Sequence, residues 1–479
     1  MRIIGNDPSV PRHEHAVASG TLPNGKPVVV NADGTVSVVS SSSVSAATGT
    51  PAVFTNNAIE DLGISFDTEN NKVLIVYRDK GNSNYGTGIV GTISGTSISF
   101  GSATVFASST TLYPTCAYSS VREKHMVVYM NNSASQGYMI PATISGTSVS
   151  FGTAVSIADG SISEPRIVED TSDTSNGTFV IIHRDSGQDG KAIVAQMAAD
   201  GAITKGSLHQ WEGNAVVGIS LSHDTTNNKF IIAFNDSTGH ALVATRSGTG
   251  FSFGSKASFD NSAEAAYTSS AFDSVAEKTL IAYKVSSTGK AVVATISGTS
   301  VSFGSSVQFE GGDAVFIRAA YNADTKEIVV AYHDSSDQDG KFVNATISGT
   351  TPSFNTPAVF ESGEIASDTI ANTYVGNGKM IIGYSDRGDS EKGKVAVLQT
   401  AYTSTNLTSE NYIGIARSGA ASGAGAIIDT QGAIADNLSG LTAGQSYYVQ
   451  NDGTLGTTAA DPSVFAGTAV SATKLIVKG

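Results

Sequence analysis

The chain has 479 residues, room for two or three domains, and carries 28 Lys+Arg against 42 Asp+Glu for a formal net charge of −14. That deficit of positive charge excludes nucleic acid and anionic membranes as expected partners, because binding to either rests on neutralising phosphates. Hydrophobic residues make up 40% and charged residues only 15%, which excludes a disordered chain and implies a folded, turn-rich one.

The opening Met1-Arg2-Ile3-Ile4-Gly5-Asn6-Asp7 lacks the apolar core of a secretory signal. No later run approaches the ~18 apolar residues of a membrane-spanning helix. The expectation is a chain made in a reducing cytoplasm, without membrane insertion. Residues 1–34 read as an N-terminal attachment segment. It holds a β-hairpin, "LPNGKPVVVNADGTV" from Leu22 to Val36, whose Asp-Gly pair between apolar runs is a tight-turn signal.

Residues 35–402 are dominated by an internal repeat. "ISGTSISFGSATVF" from Ile93 returns as "ISGTSVSFGTAVSI" from Ile144, "ISGTSVSFGSSVQF" from Ile296 and "ISGTTPSFNTPAVF" from Ile347. A degenerate copy, "RSGTGFSFGSKASF", starts at Arg246, and Ala199-Asp200-Gly201 fills the turn missing between the second and fourth copies. The period of about fifty residues is that of one propeller blade. Seven short β-branched or aromatic-rich segments mark the period: Val73–Tyr77, Met126–Tyr129, Phe179–Ile182, Phe230–Phe234, Leu280–Tyr283, Ile328–Tyr332 and Met380–Tyr384. Each is flanked by further strands and by Gly/Asp/Ser turns, giving four strands per unit. No stretch has the 3.6-residue apolar period of a long helix.

The seventh unit has strands near Ile370–Tyr374, Met380–Tyr384 and Val395–Thr400 and then loses the repeat. Gly34–Phe54 matches Gly289–Phe309 in length, so the segment near Val44–Phe54 is expected to supply the missing outer strand. The predicted fold is all-β: a seven-bladed β-propeller of four-stranded blades closed by an N-terminal strand, plus a small C-terminal β domain at residues 403–479. Closure leaves few free sheet edges.

The two ends resemble each other. Leu22–Val36 aligns without gaps to Leu441–Leu455, "LTAGQSYYVQNDGTL", with identities at Leu22/Leu441, Gly25/Gly444, Val30/Val449, Asp33/Asp452, Gly34/Gly453 and Thr35/Thr454. The C-terminal region combines the strand Tyr412-Ile413-Gly414-Ile415-Ala416, the hairpin around Gly440-Leu441-Thr442-Ala443-Gly444 and a closing strand in Ala469–Lys478. Together these resemble the small domain of tail-fibre and other virion proteins of tailed bacteriophages. Val17–Val36 is similar to the start of such proteins. The resemblance covers the two ends alone and implies assembly into a virion.

Several patterns bear on chemistry. Asp or Asn recurs two residues beyond the end of the second strand, at Asp79, Asn131, Asp185, Asp236, Asp334 and Asp386, with Val285 the exception. Regular repetition favours turn-capping by these side chains over a ring of functional carboxylates. Asp334–Gly340 and Asp185–Gly190 faintly suggest calcium loops, but Thr346 and Gln196 stand where an EF-hand-type loop needs its bidentate Glu. The sialidase Asp-box, Ser-x-Asp-x-Gly-x-x-Trp, is not matched, and no carboxylate pair is singled out for glycoside hydrolysis. His13-Glu14-His15 places two imidazoles on one side of a strand without an evident third ligand. Cys116 lies in an apolar strand and reads as core. Trp211, in the divergent stretch Gln196–Trp211, suits either a binding hot spot or the filling of an irregular blade.

No catalytic residue, metal ligand, ligand-binding residue or cofactor is therefore assigned. The expected function is that of a non-enzymatic virion protein of the tail fibre or tail tip. Its propeller would face a host receptor or glycan, and its terminal modules would bind other virion proteins or build a homotrimer. A capsid decoration or head fibre, and a glycan-degrading propeller enzyme, are the alternatives.

Overall fold

The computed structural model describes residues 12–157, 160–262, 265–366 and 369–478; the opening heptapeptide read above lies outside them. Among the described residues there is no α-helix, only two single-turn 3-10 segments at Lys80–Asn82 and Arg387–Asp389. Two compact units form, one from Ala46–Thr400 and one from the chain segments that precede and follow it.

Ala46–Thr400 is a propeller-like array of four-stranded antiparallel sheets. In the fifth repeat the strands Ala266–Asp273, Lys278–Val285, Thr288–Ser297 and Ser300–Phe303 pair in chain order, and Val307–Glu310 returns to the third of them. Its second strand is buried along nearly its whole length, which explains the unbroken apolar run in the sequence. The turn into it is held by Asp273, whose carboxylate accepts from the amides of Val275 and Ala276. Long strands Ala52–Asp67 and Thr104–Ser119 each serve two repeats, pairing first with the preceding one and then with their own.

The first strands of successive repeats adjoin one another, and that of the seventh adjoins that of the first. Each main apolar cluster of this unit accordingly spans two neighbouring repeats. One of them joins Phe54, Ile64 and Tyr77 to Ile381, Val395 and Val397.

Two recurring contacts explain the repeat motif. The glycine of Ser-Phe-Gly sits against the Ser-Gly-Thr turn of the next repeat. A Cβ on Gly101, Gly254 or Gly304 would lie 1.8–1.9 Å from the carbonyl oxygen of Thr147, Thr299 or Thr350. Only glycine admits that approach. The sixth repeat, whose successor lacks the turn, carries Asn355 there, its side chain accepting from the Asn344 amide, whereas the second repeat keeps Gly152 against Pro141.

The second contact is aromatic. Phe106, Trp211, Phe259, Phe309 and Phe360 each cover a glycine of their own sheet, Gly86, Gly190, Gly239, Gly289 and Gly340. Each also meets the second-strand ring of the following repeat (Tyr129, Phe234, Tyr283, Tyr332 or Tyr384) edge to face at 4.9–5.3 Å. Phe54 makes both contacts between the seventh repeat and the first, covering Gly393 and meeting Tyr77 at 5.1 Å. Gly49 likewise approaches the Thr96 carbonyl, and its amide donates to Val397 as that of Gly101 does to Val90. The N-terminal segment thus stands where each other repeat has its own outer strand.

The terminal unit corrects the domain boundaries expected from sequence. Residues 35–45 do not join the repeats: Val36–Val38 pairs with Pro27–Val30, and Ser41–Val44 pairs with Tyr402–Thr405. The two ends are also not separate domains. In chain order, the strands His13–Val17, Pro27–Val30, Val36–Val38, Tyr412–Ala416 and Gly425–Asp429 form one sheet with spatial order 1-5-4-2-3. Ile434–Ala435, Ser446–Val449, Leu455–Gly456, Phe465–Ser471 and Lys474–Val477 form a second sheet with the same order.

Details match between the two sheets. Gly34 and Gly453 lie at φ 80° and 76°, and Asp33 and Asp452 accept from the Thr35 and Thr454 amides at 3.0 and 2.9 Å. The pairing is interrupted at Val28/Val29 in one sheet and at the aligned Tyr447/Tyr448 in the other. The chain therefore carries two copies of one five-stranded module, with Ala46–Thr400 inserted between the third and fourth strands of the first copy. In the second copy that connection is a short loop between Leu455–Gly456 and Phe465–Ser471. Insertion there is tolerable because the entering and leaving segments are neighbours, Val44 opposite Tyr402 and Ala47 opposite Gln399.

Gly254→Ala is expected to lower stability by about 1–3 kcal/mol through overpacking. Gly250→Ala, whose Cβ would meet nothing closer than 3.6 Å, is expected to stay within about 0.5 kcal/mol of wild type. Chemical denaturation of both variants checks this. Replacing residues 46–400 by a short turn is expected to leave a cooperatively melting all-β protein. Loss of the melting transition would show that the two modules depend on the insert.

Candidate functional site

The inner strands of the seven repeats line a channel of about 580 Å³. In six of the seven first strands the pairing with the second strand is broken by a bulge at the same level. The bulged residue is left-handed in every case: Asp61, Tyr113, Glu164, Gly218, Tyr267 and Phe316 have φ between 50° and 58°. Bulges re-aim side chains, and Asp61, Tyr113, Glu164, Gly218 and Tyr267 stand in the lining of the channel, while Phe316 packs against the core beside Tyr267. Glycine would meet this backbone without strain, yet five of the six are not glycine, at a cost of about 1–2 kcal/mol each. The backbone feature repeats while the side chains differ.

Aromatic surface dominates one side of the rim. Tyr267 and Phe316 meet edge to face at 5.4 Å, the Lys284 ammonium lies 5.9 Å from the Tyr267 ring centre, and His333 stacks on Phe316 at 6.2 Å. Across from them Tyr113 is 37% exposed. Burial, then the Asp61 carboxylate, push its phenol above the ordinary value, so it stays a neutral donor. The two rim carboxylates are held by guanidiniums from the adjoining second strands: Arg78 Nε lies 3.4 Å from Asp61, and Arg184 lies 3.6 Å from Glu164. Arg184 also donates to Ser163 Oγ at 2.9 Å, and Glu164 accepts from the Ile219 amide at 3.2 Å. Deeper in the channel stand Thr115, Arg166, Ser220, Ser269, Arg318 and Asn372. The arrangement offers flat apolar faces beside fixed hydrogen-bond donors and acceptors, which suits recognition of a polar ring-shaped ligand.

The residues singled out from sequence lie elsewhere. Asp79, Asn131, Asp185, Asp334 and Asp386 each accept from a backbone amide of the turn that follows: Asn82, Ala134, Gly187, Ser336 and Asp389 respectively. Asp236 differs, pairing with Lys256 and with His240 Nδ1 at 2.7 Å. In the loop at Asp334 the Lys341 ammonium sits 2.7 Å from Asp334 and 2.6 Å from Asp337, where a cation would have to be. Lys191 stands likewise 3.3 and 3.2 Å from Asp185 and Asp189. His13 and His15 are exposed on an edge strand, their rings 6.0 Å apart. Among the described residues no group of three or more His, Cys, Asp or Glu is placed to hold a metal ion.

Cys116 is buried, accepts from Ser65 Oγ at 3.1 Å, and has its thiol pushed up to about 12 by burial, so no thiolate nucleophile is available there. Trp211 covers Gly190 and packs on Phe234, which settles its two readings in favour of core filling. The rim residues escaped the sequence reading because their strand varies most between repeats.

Neither a protein-family model nor a curated protein matches the chain. Among solved structures, the BP39L lectin of Burkholderia pseudomallei is similar in fold, with a TM-score of 0.54 at 10% identity over 73% of this chain and 98% of that one. A protein from Lactobacillus plantarum aligns over the same shares at 13% identity with a TM-score of 0.47, and a protein of unknown function from Dyadobacter fermentans aligns over 82% and 100% at 9% identity with a TM-score of 0.44. At such identities the likeness to the lectin is one of fold.

Buried histidines make the repeats acid-sensitive: burial lowers the pKa of His125, His183, His223 and His333 alike. His183 occupies the second-strand ring position that is Tyr or Phe in the other repeats, and burial lowers its pKa from 6.5 to about 4. The unfolded chain then binds the extra proton first. The stabilising contribution is complete above about pH 6.5 and is lost as pH falls toward 4, a difference of about 3 kcal/mol. His183→Phe is expected to narrow the gap in Tm between neutral pH and about pH 4.5. An unchanged gap would show that His183 is not the group responsible.

Proposed function

We propose that the seven repeats form a seven-bladed propeller, closed by residues 47–58, that binds glycan at the bulged rim of its channel without processing it. The observation that carries the reading is the rim itself. Tyr113 and Tyr267 offer ring faces to the C–H bonds of a sugar, while Asp61 and Glu164, each beside an arginine, accept from its hydroxyls. Closure is supported by Phe54 and Gly49, which repeat between the seventh and first repeats the contacts made at the other junctions. A fold shared with a lectin is consistent with binding, although a fold alone does not specify use.

The place of action is inferred from the terminal modules. Their resemblance to the small domain of tailed-phage virion proteins supports a tail-fibre or tail-tip component, displaying the propeller toward a host glycan and assembling through the modules as a trimer. Duplication of the module within one chain fits an attachment role, because two copies double the surface available to partner virion proteins.

Tyr113→Ala and Tyr267→Ala are each expected to weaken binding on a glycan array by about 3- to 10-fold, the worth of one aromatic stacking contact, with circular dichroism unchanged. Undiminished binding in both variants would place the ligand elsewhere. Light scattering on the full-length protein is expected to give a trimer, and a monomer would remove the fibre assignment while leaving glycan binding standing.

A further inference from the structure

The two copies of the five-stranded module pack on each other through unlike faces. Their shared core takes Val29, Tyr412 and Ile415 from the first copy and Leu441, Ala466 and Leu475 from the second. Pairing of Ile415 with Asp429 and of Ala416 with Ile428 matches that of Thr468 with Ile476 and of Ala469 with Leu475. Ile415 therefore stands where the second copy has Thr468, whereas Leu475 stands where the first has Ile428. Ile428 belongs to a different core, on the other side of the first sheet. Such a head-to-tail contact leaves over one face of each kind. The first copy closes its own: residues 18–22 hydrogen-bond to residues 420–424 and pack with Val28, Ala426 and Ile428.

The face left over on the second copy is the one that the first copy buries. Ile434, Ile476 and Thr468 lie side by side across three of its strands, with Val470 beyond them and the Tyr448 and Phe465 rings, 5.6 Å apart, alongside. Alternation turns Ile476 away from Leu475 and Val477, which fill the shared core. Ile434 is 48% and Val470 45% exposed. The module itself does not require apolar residues here. At the matching positions the first copy has His13 for Ile434, Asp429 for Ile476 and Arg417 for Val470. There Arg417 donates to Asp429 at 2.8 Å. Three polar positions of one copy are thus apolar in the other, and an apolar patch kept in water marks a contact with another protein.

A second copy of the chain offers this face no open complement, because its first module closes the opposite face with its own segments and its second module fills that face with the first. What a second copy does offer is the same face, met across a symmetry axis, and that contact closes an assembly where a head-to-tail one would extend it. None of the residues named on the face is a carboxylate, so chains of net charge −14 meet there with little repulsion. We propose that the chain assembles through this face of its second module, Ile434, Ile476 and Val470 of each copy meeting those of the others about the axis. The proposal rests on the trimer reading above and assigns its interface.

The test is light scattering on full-length variants beside the wild-type trimer. Ile434→Glu with Val470→Glu is expected to weaken association by at least about 100-fold, the worth of two buried apolar side chains, and so to give a monomer with unchanged circular dichroism. Val275→Glu, at a site 60% exposed in the repeats, is expected to stay trimeric. A milder variant reads the same face without a charge. The thiol of Ile434→Cys, the native Cys116 being buried, is expected to resist maleimide in the trimer and to label readily once Val470→Glu separates the copies. A trimer that persists in the Glu pair, or labelling equally fast in both Cys proteins, overturns the face while the trimer stands. A wild-type dimer that the Glu pair dissociates upholds the face and removes the trimer. A wild-type monomer overturns both.

Discussion

The contact on which the repeats depend is the one made by the aromatic side chain at the end of each outer strand. It lies over a glycine of its own sheet and meets, edge-on, a ring from the next. One side chain thus joins burial within a sheet to packing between sheets, and each such ring removes a large apolar surface from water. The glycine is as much a part of the contact as the ring, because any Cβ there would occupy the ring's place. The junction between the second and third repeats departs from the pattern: His183 replaces the ring of the second strand, and Ile157 and Ile162 fill the space beside Gly137. Fully buried, His183 is also one of the histidines through which protons enter the stability of this unit.

A stiff scaffold of this kind separates the residues that hold the fold from those that can vary. The Asx side chains that cap the turns, the Ser-Gly-Thr and Ser-Phe-Gly pairs and the aromatic–glycine contacts recur because each junction needs them. The bulged rim residues share a backbone but not a chemistry. Asp, Tyr, Glu, Gly, Tyr and Phe follow one another around the rim. A symmetric backbone therefore presents an asymmetric surface, which recognition of an asymmetric ligand requires.

The terminal unit shows how a long insert is accommodated in a small β module. The insertion point lies where two antiparallel segments already run side by side, so the insert enters and leaves the module at adjacent positions. Interrupting the module there breaks none of its five-stranded pairings. The second, uninterrupted copy provides the internal standard by which the first is recognised, down to the matching pairing interruption and the matching Asp-Thr turn.

Sequence alone determined the all-β class, the fifty-residue period, the position of each second strand and the likeness of the two terminal hairpins. Those features are local: a buried strand requires a short apolar run, a left-handed turn requires glycine, and a repeated junction requires repeated residues. It also identified the Asx positions as turn caps, since regular recurrence points to the backbone. Only the tertiary structure decided that the ends interlock into a duplicated module, because the pairing of Pro27–Val30 with Tyr412–Ala416 spans the whole insert and leaves no local trace. The same holds for the channel. Tyr113, Glu164, Arg166, Tyr267, Phe316 and Arg318 are scattered over some two hundred residues, and no spacing rule links them. The fold brings them together by setting successive first strands side by side, a relation of space that a linear pattern does not carry.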